Sequence, residues 1–171
     1  NYKKNFIEIE DLGDVSIYYK LKNKRINKLK YYKKIILLLS KLQKIRTKKI
    51  KTFHNTNYII PKYSKDKLFK ESKLFLDWYV TKVIKKENQK MIKNKLKNII
   101  QTLLKKIKNK NNIFVHRDFH VSNLMEYRKT IALIDNQDAL YGNRAYDLAS
   151  LIDDVRFKTP NSLKEKIFKY F

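Results

Sequence analysis

Residues 114–125 read FVHRDFHVSNLM, and residues 131–135 read IALID. Three apolar residues ending at Val115 predict a short strand that leads residues 116–118 into a loop. The apolar runs 123–125 and 131–134 flank the polar stretch 126–130, which predicts a β-hairpin. A hairpin of this kind would return Asp135 to a position beside Asn123.

Three polar side chains of this stretch fit the needs of phosphoryl transfer. The reaction needs one carboxylate to orient and deprotonate the acceptor hydroxyl and two oxygen ligands for magnesium. Asp118 fits the role of the base, and Asn123 and Asp135 fit the roles of the ligands. Magnesium prefers hard oxygen donors and is usually held by one or two carboxylates together with phosphate oxygens. We therefore expect ATP and Mg²⁺ as cofactors.

The same stretch resembles the catalytic loop of the aminoglycoside phosphotransferase and choline kinase superfamily. A protein kinase would add Asp-Phe-Gly and Ala-Pro-Glu motifs, and the sequence has neither. Residues 134–139 (IDNQDA) and 141–156 (YGNRAYDLASLIDDVR) are instead similar to the metal-binding segment and following helix of bacterial kinases that phosphorylate N-acetylmuramate and N-acetylglucosamine. One departure is Asn136, where the family usually has Phe or Trp.

The resemblance also gives meaning to the start of the chain. Residues 6–10 alternate between apolar and polar side chains and predict a strand, which residues 11–14 (DLGD) end with a turn. The superfamily has a similar sequence at its hinge, which implies that Glu10, Asp11 and Leu12 bind the nucleotide. Residues 1–14 would then be the end of an N-terminal lobe and its hinge, and residues 15–171 a helical C-terminal lobe.

The remainder of an N-terminal lobe is not recognisable. The only glycines are Gly13 and Gly142, so the sequence lacks a glycine-rich phosphate loop. It also lacks a recognisable strand Lys with a partner Glu, and kinases of this type need both features. We expect a C-terminal lobe fragment that is inactive alone.

The resemblance implies that three residues support the loop, namely His116, His120 and Asp147. A buried carboxylate is costly unless it is paired, so Asp147 should accept hydrogen bonds from backbone N–H groups or from His116. The alternative is a solvent-facing Asp147 that the helix dipole favours.

Three further residues are candidate contacts to a substrate. Asp138 lies within the segment 134–139 and is expected to face the same site, where it is a candidate ligand of a second magnesium ion or of the substrate. Asp77 and Trp78 lie in an aromatic-rich segment that resembles the helix bordering the acceptor pocket of the sugar kinases. The alternative for this segment is a helix face packed in the core.

Apolar residues at helical spacing predict helices over residues 31–46, 64–84, 88–108 and 144–156. Ser64 and Asn143 are the predicted N-caps of the second and the fourth of these helices, and Val155 is expected to face inward. The fold class is therefore α+β: the mainly helical C-terminal lobe of a protein-kinase-like fold with a small catalytic-loop hairpin.

The net charge of +25 comes from 41 Lys and Arg residues against 16 Asp and Glu. Lysines are scattered along the whole sequence, as in a protein encoded by AT-rich DNA, and we relate the charge to solubility rather than to a specific nucleic acid. No apolar run is long enough for a transmembrane helix, and the sequence has no cysteine. We expect a cytoplasmic protein without membrane partners.

Several functions stay open at this point. The resemblance implies an amino-sugar acceptor such as N-acetylmuramate or N-acetylglucosamine. The few acidic residues are mostly assigned, which favours a neutral or anionic sugar over a cationic acceptor that would need an acidic or aromatic pocket. Choline, ethanolamine or an aminoglycoside are the rival acceptors. A catalytically inactive kinase-like scaffold with a basic, nucleic-acid-binding surface is the alternative of another class. The oligomeric state is not predicted.

Overall fold

A computed structural model describes residues 8–23, 25–107, 110 and 112–171. The protein has an α+β fold in which helices and small antiparallel hairpins alternate. Its helices are α1 (Ile17–Lys22), α2 (Lys28–Leu42), α3 (Lys65–Leu74), α4 (Thr81–Val83), α5 (Lys86–Lys106), α6 (Ala145–Ile152) and α7 (Asn161–Tyr170). A π-helical segment (Phe75–Val80) joins α3 to α4, and a 3₁₀ turn (Val121–Asn123) precedes the fourth strand.

The strands are short. They are β1 (Lys49–Lys51), β2 (Asn57–Ile59), β3 (Ile113–Val115), β4 (Leu124–Tyr127), β5 (Thr130–Leu133) and β6 (Leu140–Gly142). Strands β4 and β5 form the predicted hairpin, in a register that pairs Leu124 with Leu133 and Tyr127 with Thr130. Its two-residue turn has positive φ at Arg128 (47°) and Lys129 (65°), which is the geometry of a type I′ turn.

The chain divides into two compact units. The first unit comprises the described residues of Asn1–Arg46, Phe114–Ala139 and Arg144–Phe171, and the second comprises those of Thr47–Ile113 and Leu140–Asn143. The boundary predicted after residue 14 falls inside the first unit and stays a prediction.

The core of the first unit is apolar and surrounds the catalytic-loop stretch. Helix α2 supplies Ile35, Ile36 and Leu39, and α7 packs against α2. Phe119 and Leu124, on either side of the 3₁₀ turn, are completely buried in the same cluster. The loop is therefore tied to the hydrophobic core by its own side chains, and burial of each such side chain contributes about 1.5 to 3 kcal/mol.

The second unit is built around α3, the π-helical segment and α5, which contact one another. Ser64 caps α3 as predicted, because its side chain accepts a hydrogen bond from the Lys67 N–H. None of the residues of α5 is fully buried. In the part of the chain that the structure describes, every helix is too short or too polar to cross a lipid bilayer.

Four local predictions are corrected. Residues 8–10 form no strand, and the rest of the predicted strand, residues 6 and 7, lies outside the described residues. Helix α2 starts and ends earlier than the predicted span 31–46, because Gln43 already takes the C-cap position. Arg144 rather than Asn143 takes the N-cap position of α6, and it makes no capping hydrogen bond through its side chain. Val155 is 95% exposed, because α6 ends at Ile152.

Helix α2 offers a matched test of the core. Leu39 is completely buried, whereas Leu37 on the same helix is 54% exposed. Leu39→Ala should lower the free energy of unfolding by about 2 to 5 kcal/mol, because it removes buried methyl groups and leaves a cavity. Leu37→Ala should change it by less than about 0.5 kcal/mol. Urea titration followed by circular dichroism measures both, and equal losses would contradict the assigned orientation of α2.

Candidate active site

Residues 116–123 form a tight loop whose backbone bonds to itself. The His120 N–H donates to the Asp118 carbonyl at 3.0 Å, and the Asn123 N–H donates to the His120 carbonyl at 2.9 Å. Asp118 is exposed, while its neighbour Phe119 is completely buried. The buried ring therefore anchors the segment, and the carboxylate next to it points out of the core.

The structure brings Asn123 together with the other two predicted residues. Its side-chain nitrogen donates to the Asp118 carbonyl at 3.0 Å, which leaves the amide oxygen Oδ1 as the atom for a metal. The Ile134 N–H donates to the Asn123 carbonyl at 3.1 Å, so that Asp135 follows directly after a residue bonded to Asn123. The hairpin thus does what the sequence predicted for it.

Asp135 has a special backbone conformation, with φ of 66° in the left-handed region. Such a conformation is uncommon for a residue with a side chain, although Asp and Asn tolerate it best. It turns the chain two residues after the end of strand β5 at Leu133. The Gln137 side chain donates a hydrogen bond to Asp135 Oδ1.

Asp147 is completely buried, and it holds the start of the loop. Its Oδ2 accepts a hydrogen bond from the His116 N–H at 2.8 Å, and its Oδ1 accepts one from the Arg117 N–H at 3.0 Å. Both oxygens of one carboxylate thus bind successive amides of the loop. The solvent-facing alternative for Asp147 does not occur, whereas its catalytic importance stays a prediction.

Arg117 is strained between these two hydrogen bonds. Its φ is 80°, which costs a non-glycine residue of order 1 to 3 kcal/mol. The hydrogen bonds of Asp147 hold the two amides that come immediately before this φ angle, those of residues 116 and 117. The loop is therefore preorganised by a buried acceptor rather than by a glycine.

Burial is the main cause of the shifted pKa values of Asp147 and His116. Burial raises the pKa of Asp147 from 3.8 to about 6. The hydrogen bonds from the backbone amides of His116 and Arg117 oppose this shift, and the negative charge of Asp118 adds to it. Burial lowers the pKa of His116, while the nearby Ile134 and Asp118 groups oppose that shift. His116 is thus favoured in its neutral form.

The two histidines of the loop are buried, as support of the loop would require. His116 is 1% exposed and His120 is 8% exposed. Among the described residues, neither ring nitrogen of His116 has a hydrogen-bond partner of normal geometry, although backbone groups of Ile134 and Asp118 lie close enough to affect its pKa. Nδ1 of His120 likewise has no such partner in this part of the chain. Support of the loop by either ring stays a prediction.

The contacts of the remaining residues singled out from the sequence do not test their predicted roles. Oδ1 of the exposed Asp138 lies 3.5 Å from Nη1 of the half-buried Arg117, in an ion pair that would compete with a metal for this oxygen. Asn136 is exposed and accepts a hydrogen bond from the Ala139 N–H at its carbonyl. Asp77 pairs with Lys73 at 2.9 Å, and Trp78 is 68% exposed, both in the second unit. The roles of Asp138, Asp77 and Trp78 stay predictions.

The predicted hinge residues lie at the surface of the first unit. Asp11 Oδ1 accepts a hydrogen bond from the Gly13 N–H at 2.8 Å, and Gly13 has φ of 74°, which glycine adopts without strain. Glu10 lies 4.0 Å from Arg128 in the turn between β4 and β5. Leu12 is half-buried.

A cavity next to this segment was not found from the sequence. It has a volume of about 520 Å³ and lies in the first unit. Ser16, which pairs with Met125 of β4, contributes to its wall. The complete lining comprises Asp14, Ser16, Tyr18, Tyr19, Ser122, Met125 and Arg156. The only signal in the sequence was the position of residues 14–19 directly after the predicted hinge.

Asn123 and Asp135 alone would not complete the coordination shell of a magnesium ion. Within residues 8–23, 25–107, 110 and 112–171, no three His, Asp or Glu side chains are grouped as a metal site. Asn123 and Asp135 offer two hard oxygen donors, and phosphate oxygens and water would supply the others.

The family model that describes the phosphotransferase enzyme family matches residues 22–171. The chain belongs to the phosphotransferase enzyme family. The family prediction from the catalytic-loop residues is thereby confirmed.

Curated relatives in this phosphotransferase family share moderate identity with the chain. The N-acetylmuramate/N-acetylglucosamine kinase of Neisseria meningitidis serogroup B is 36% identical over 97 residues, which are 57% of this chain and 29% of that protein. The enzyme of the same name from Pseudomonas aeruginosa is 31% identical over 102 residues, which are 60% of this chain and 30% of that protein. The chain thus spans about three tenths of the length of these relatives in the matched region.

The raised pKa of Asp147 predicts how stability depends on pH. Because the folded pKa of about 6 lies above the 3.8 of an exposed aspartate, the folded state takes up this proton first as the pH falls. Relative to Asp147→Asn, the wild-type protein should therefore gain stability between pH 7 and pH 4, by up to about 3 kcal/mol. Urea titration at pH 7 and at pH 4 measures the unfolding free energies of the wild-type protein and of Asp147→Asn. Subtracting one protein's value from the other's at each pH removes the contributions of the titrating groups that both proteins share.

Asp153→Asn is the matched control for this measurement. Asp153 lies at the end of the same helix, but its side chain is 64% exposed and pairs with Lys164. Its substitution should leave the pH dependence of wild type nearly unchanged. A pH-independent difference between wild type and Asp147→Asn would mean that the Asp147 carboxyl titrates normally.

Proposed function

We propose that this phosphotransferase transfers a phosphoryl group from ATP to a hydroxyl of an amino sugar such as N-acetylmuramate or N-acetylglucosamine, with magnesium as cofactor. The observation that carries the proposal is the hydrogen bonding of Asn123 to the backbones of Asp118 and Ile134. It supports the proposal because the proposed base and the two proposed metal ligands, Asn123 and Asp135, then belong to hydrogen-bonded neighbouring segments.

In this mechanism Asp118 orients the acceptor hydroxyl and takes its proton as the bond to phosphorus forms. The exposed position of its carboxylate beside a rigid backbone suits that task. Asn123 Oδ1 and the Asp135 carboxylate hold magnesium. Bound Mg²⁺·ATP supplies the phosphoryl group together with the positive charge that stabilises its transfer.

The buried residues of the site act on the loop rather than on the substrate. Asp147 fixes the amides of residues 116 and 117, and so it fixes the direction in which Asp118 leaves the loop. His116 fills the space behind Asp118 in its neutral form. A base that is held in place saves the entropy of orienting it during the reaction.

The nucleotide is proposed to occupy the cavity lined by Ser16, Ser122 and Met125. The residues proposed to bind its base, Glu10, Asp11 and Leu12, directly precede the segment that forms one wall of the cavity. Asn123 follows Ser122 in the chain, so a nucleotide there would reach the metal ligands with its phosphates.

A sugar acceptor is supported by the names of the relatives and by composition. The relatives are named for two N-acetylated amino sugars. Several carboxylates near the loop already have assigned partners, as Asp147 and Asp138 illustrate, and a cationic acceptor would need further ones. Choline, ethanolamine and aminoglycosides are therefore less suitable acceptors.

Substitution of the base tests the proposal most directly. In the full reading frame that contains this chain, Asp118→Asn and Asp118→Ala should lower kcat by about a hundredfold or more with little effect on ATP binding. Asp153→Asn, an exposed substitution away from the loop, should keep the wild-type rate. Coupled assays with N-acetylmuramate and N-acetylglucosamine measure kcat, and calorimetry measures ATP affinity. Near-normal turnover of both Asp118 variants would reject the assigned role.

The metal ligands give a separate prediction. Asp135→Asn should raise the magnesium concentration needed for half-maximal activity by about tenfold or more, because a charged ligand is lost. Asp138→Asn tests the weaker assignment of Asp138 as a second metal ligand. A titration with MgCl₂ at saturating ATP measures the shift for each variant. An unchanged magnesium requirement in Asp135→Asn would exclude Asp135 as a ligand.

A further inference from the structure

Two buried polar side chains, Asp154 and His120, and the half-exposed side chain of Arg156 have no role in the mechanism above. Asp154 is 8% exposed and follows α6, and its neighbour Arg156 shares the cavity wall with Ser122. His120, also 8% exposed, lies two residues before Ser122. These three residues combine a carboxylate, a guanidinium and an imidazole at the base of the loop.

One of the two carboxylate oxygens of Asp154 already accepts hydrogen bonds. Oδ1 accepts hydrogen bonds from the Arg156 N–H at 3.0 Å and from Arg156 Nη1 at 3.1 Å. The other oxygen, Oδ2, is buried and has no hydrogen-bond partner among the described residues. A buried oxygen without a partner costs about 1 to 3 kcal/mol, or more for a charged group, so this atom needs a donor.

Nearby hydroxyl groups do not supply that donor. The Tyr32 hydroxyl and Thr159 Oγ1 lie 3.1 Å apart and bond to each other, and Thr159 also donates to the Phe157 carbonyl at 3.5 Å. Both hydroxyl hydrogens are therefore used when Tyr32 is the donor to Thr159. Another buried polar atom without a partner in the described part of the chain is Nδ1 of His120, which makes this imidazole a candidate donor.

The His120 ring also carries a buried polar atom that needs a hydrogen-bond partner. Its Nδ1 is buried and has no partner within the described part of the chain. Burial is the largest cause of its lowered pKa, followed by the Arg156 charge, and the Asp154 charge opposes them. These electrostatic effects indicate that the ring lies within the field of both side chains.

We propose that Asp154 is a positioning residue of the catalytic loop, which acts on His120 through one bridging water. Asp154 Oδ2 and His120 Nδ1 make no direct hydrogen bond. The water accepts a hydrogen bond from the Nδ1–H of His120 and donates one to Asp154 Oδ2. This inference rests on the proposed function, because it assigns Asp154 a task in orienting the same loop. It fixes the proton of neutral His120 on Nδ1 and leaves Nε2 as an acceptor.

The consequence for the loop follows from the backbone of His120. Its N–H is bonded to the Asp118 carbonyl, and its carbonyl is bonded to the Asn123 N–H. A ring fixed by Asp154 therefore fixes the peptide groups that connect the base with a metal ligand. Asp147 holds the start of the loop and Asp154 holds its middle, each from helix α6 or its end.

The tautomer of His120 is the first test, and it needs no activity. Spectra that correlate ring protons with ¹⁵N, recorded above pH 8 on the 171-residue protein, report which nitrogen carries the proton. The chain has three histidines, and the missing signal in His120→Asn assigns His120. We expect the Nδ1–H form in the wild-type protein, whereas an Nε2–H form would overturn the inference.

Variants of Asp154 complete this test. Asp154→Ala removes the acceptor, and Asp154→Leu removes it while filling the buried volume, in case the alanine variant does not fold. Either folded variant should shift His120 toward Nε2–H, and Asp153→Ala should not. An unchanged tautomer in a folded Asp154 variant would overturn the inference.

Kinetics then separate positioning from general stability. Asp154→Leu and His120→Gln should each lower kcat by about tenfold with KM values changed less than about twofold, and the double variant should lose no more than either single variant. His120→Asn, whose amide can donate from near the Nδ1 position, should retain more activity than His120→Gln. A decrease of kcat in the double variant that equals the product of the two single-variant decreases would show that the two residues act independently.

The two proposals fail in different ways. Normal turnover of Asp118→Asn would reject the proposed function but leave the tautomer result standing. Loss of turnover in Asp118→Asn together with an unchanged His120 tautomer in Asp154→Leu would reject the inference about Asp154 alone.

Discussion

The site depends on one buried carboxylate that accepts two successive backbone amides. Asp147 is completely removed from solvent, so its charge is costly unless its oxygens are paired, and the loop supplies the two donors. The dependence is mutual, because the amides of residues 116 and 117 in turn have both oxygens of Asp147 as their acceptors. A helix that is packed in the core thereby fixes a loop that has no regular structure of its own. The direction of Asp118 is set by this arrangement.

The hairpin sets the second constraint. Side chains alternate along a strand, so a slip of one residue between β4 and β5 would turn every side chain to the opposite face. The observed register pairs Leu124 with Leu133, and Leu124 is completely buried, which ties the register to the core. Lys20 of α1 also pairs with Glu126 of β4 at 2.8 Å. Asn123 and Asp135 lie just beyond this register, and their proximity is a consequence of hydrophobic burial.

The parts of the site that the sequence predicted are those governed by local rules. Alternating apolar runs around a polar turn predicted the hairpin, and the cost of burying a carboxylate predicted the partners of Asp147. Features that depend on tertiary packing were wrong or missed. The end of α6 at Ile152 left Val155 in solvent, and the cavity lined by Met125 requires residues far apart in the sequence. The unpaired oxygen of Asp154 is visible only once its neighbours are placed.

The distribution of charge bears on the proposal that this strongly basic chain holds a metal ion. Six aspartates lie between residues 118 and 154, although the chain has only 16 acidic residues against 41 basic ones. A broad positive field raises the local concentration of anionic ligands, such as nucleotides, without selecting among them. The exposed carboxylates of Asp118 and Asp135 would repel the phosphates of the proposed nucleotide, and a divalent cation between them would remove this repulsion. The net positive charge and these carboxylates are thus both compatible with the proposed ligand, a nucleotide that carries its own metal ion.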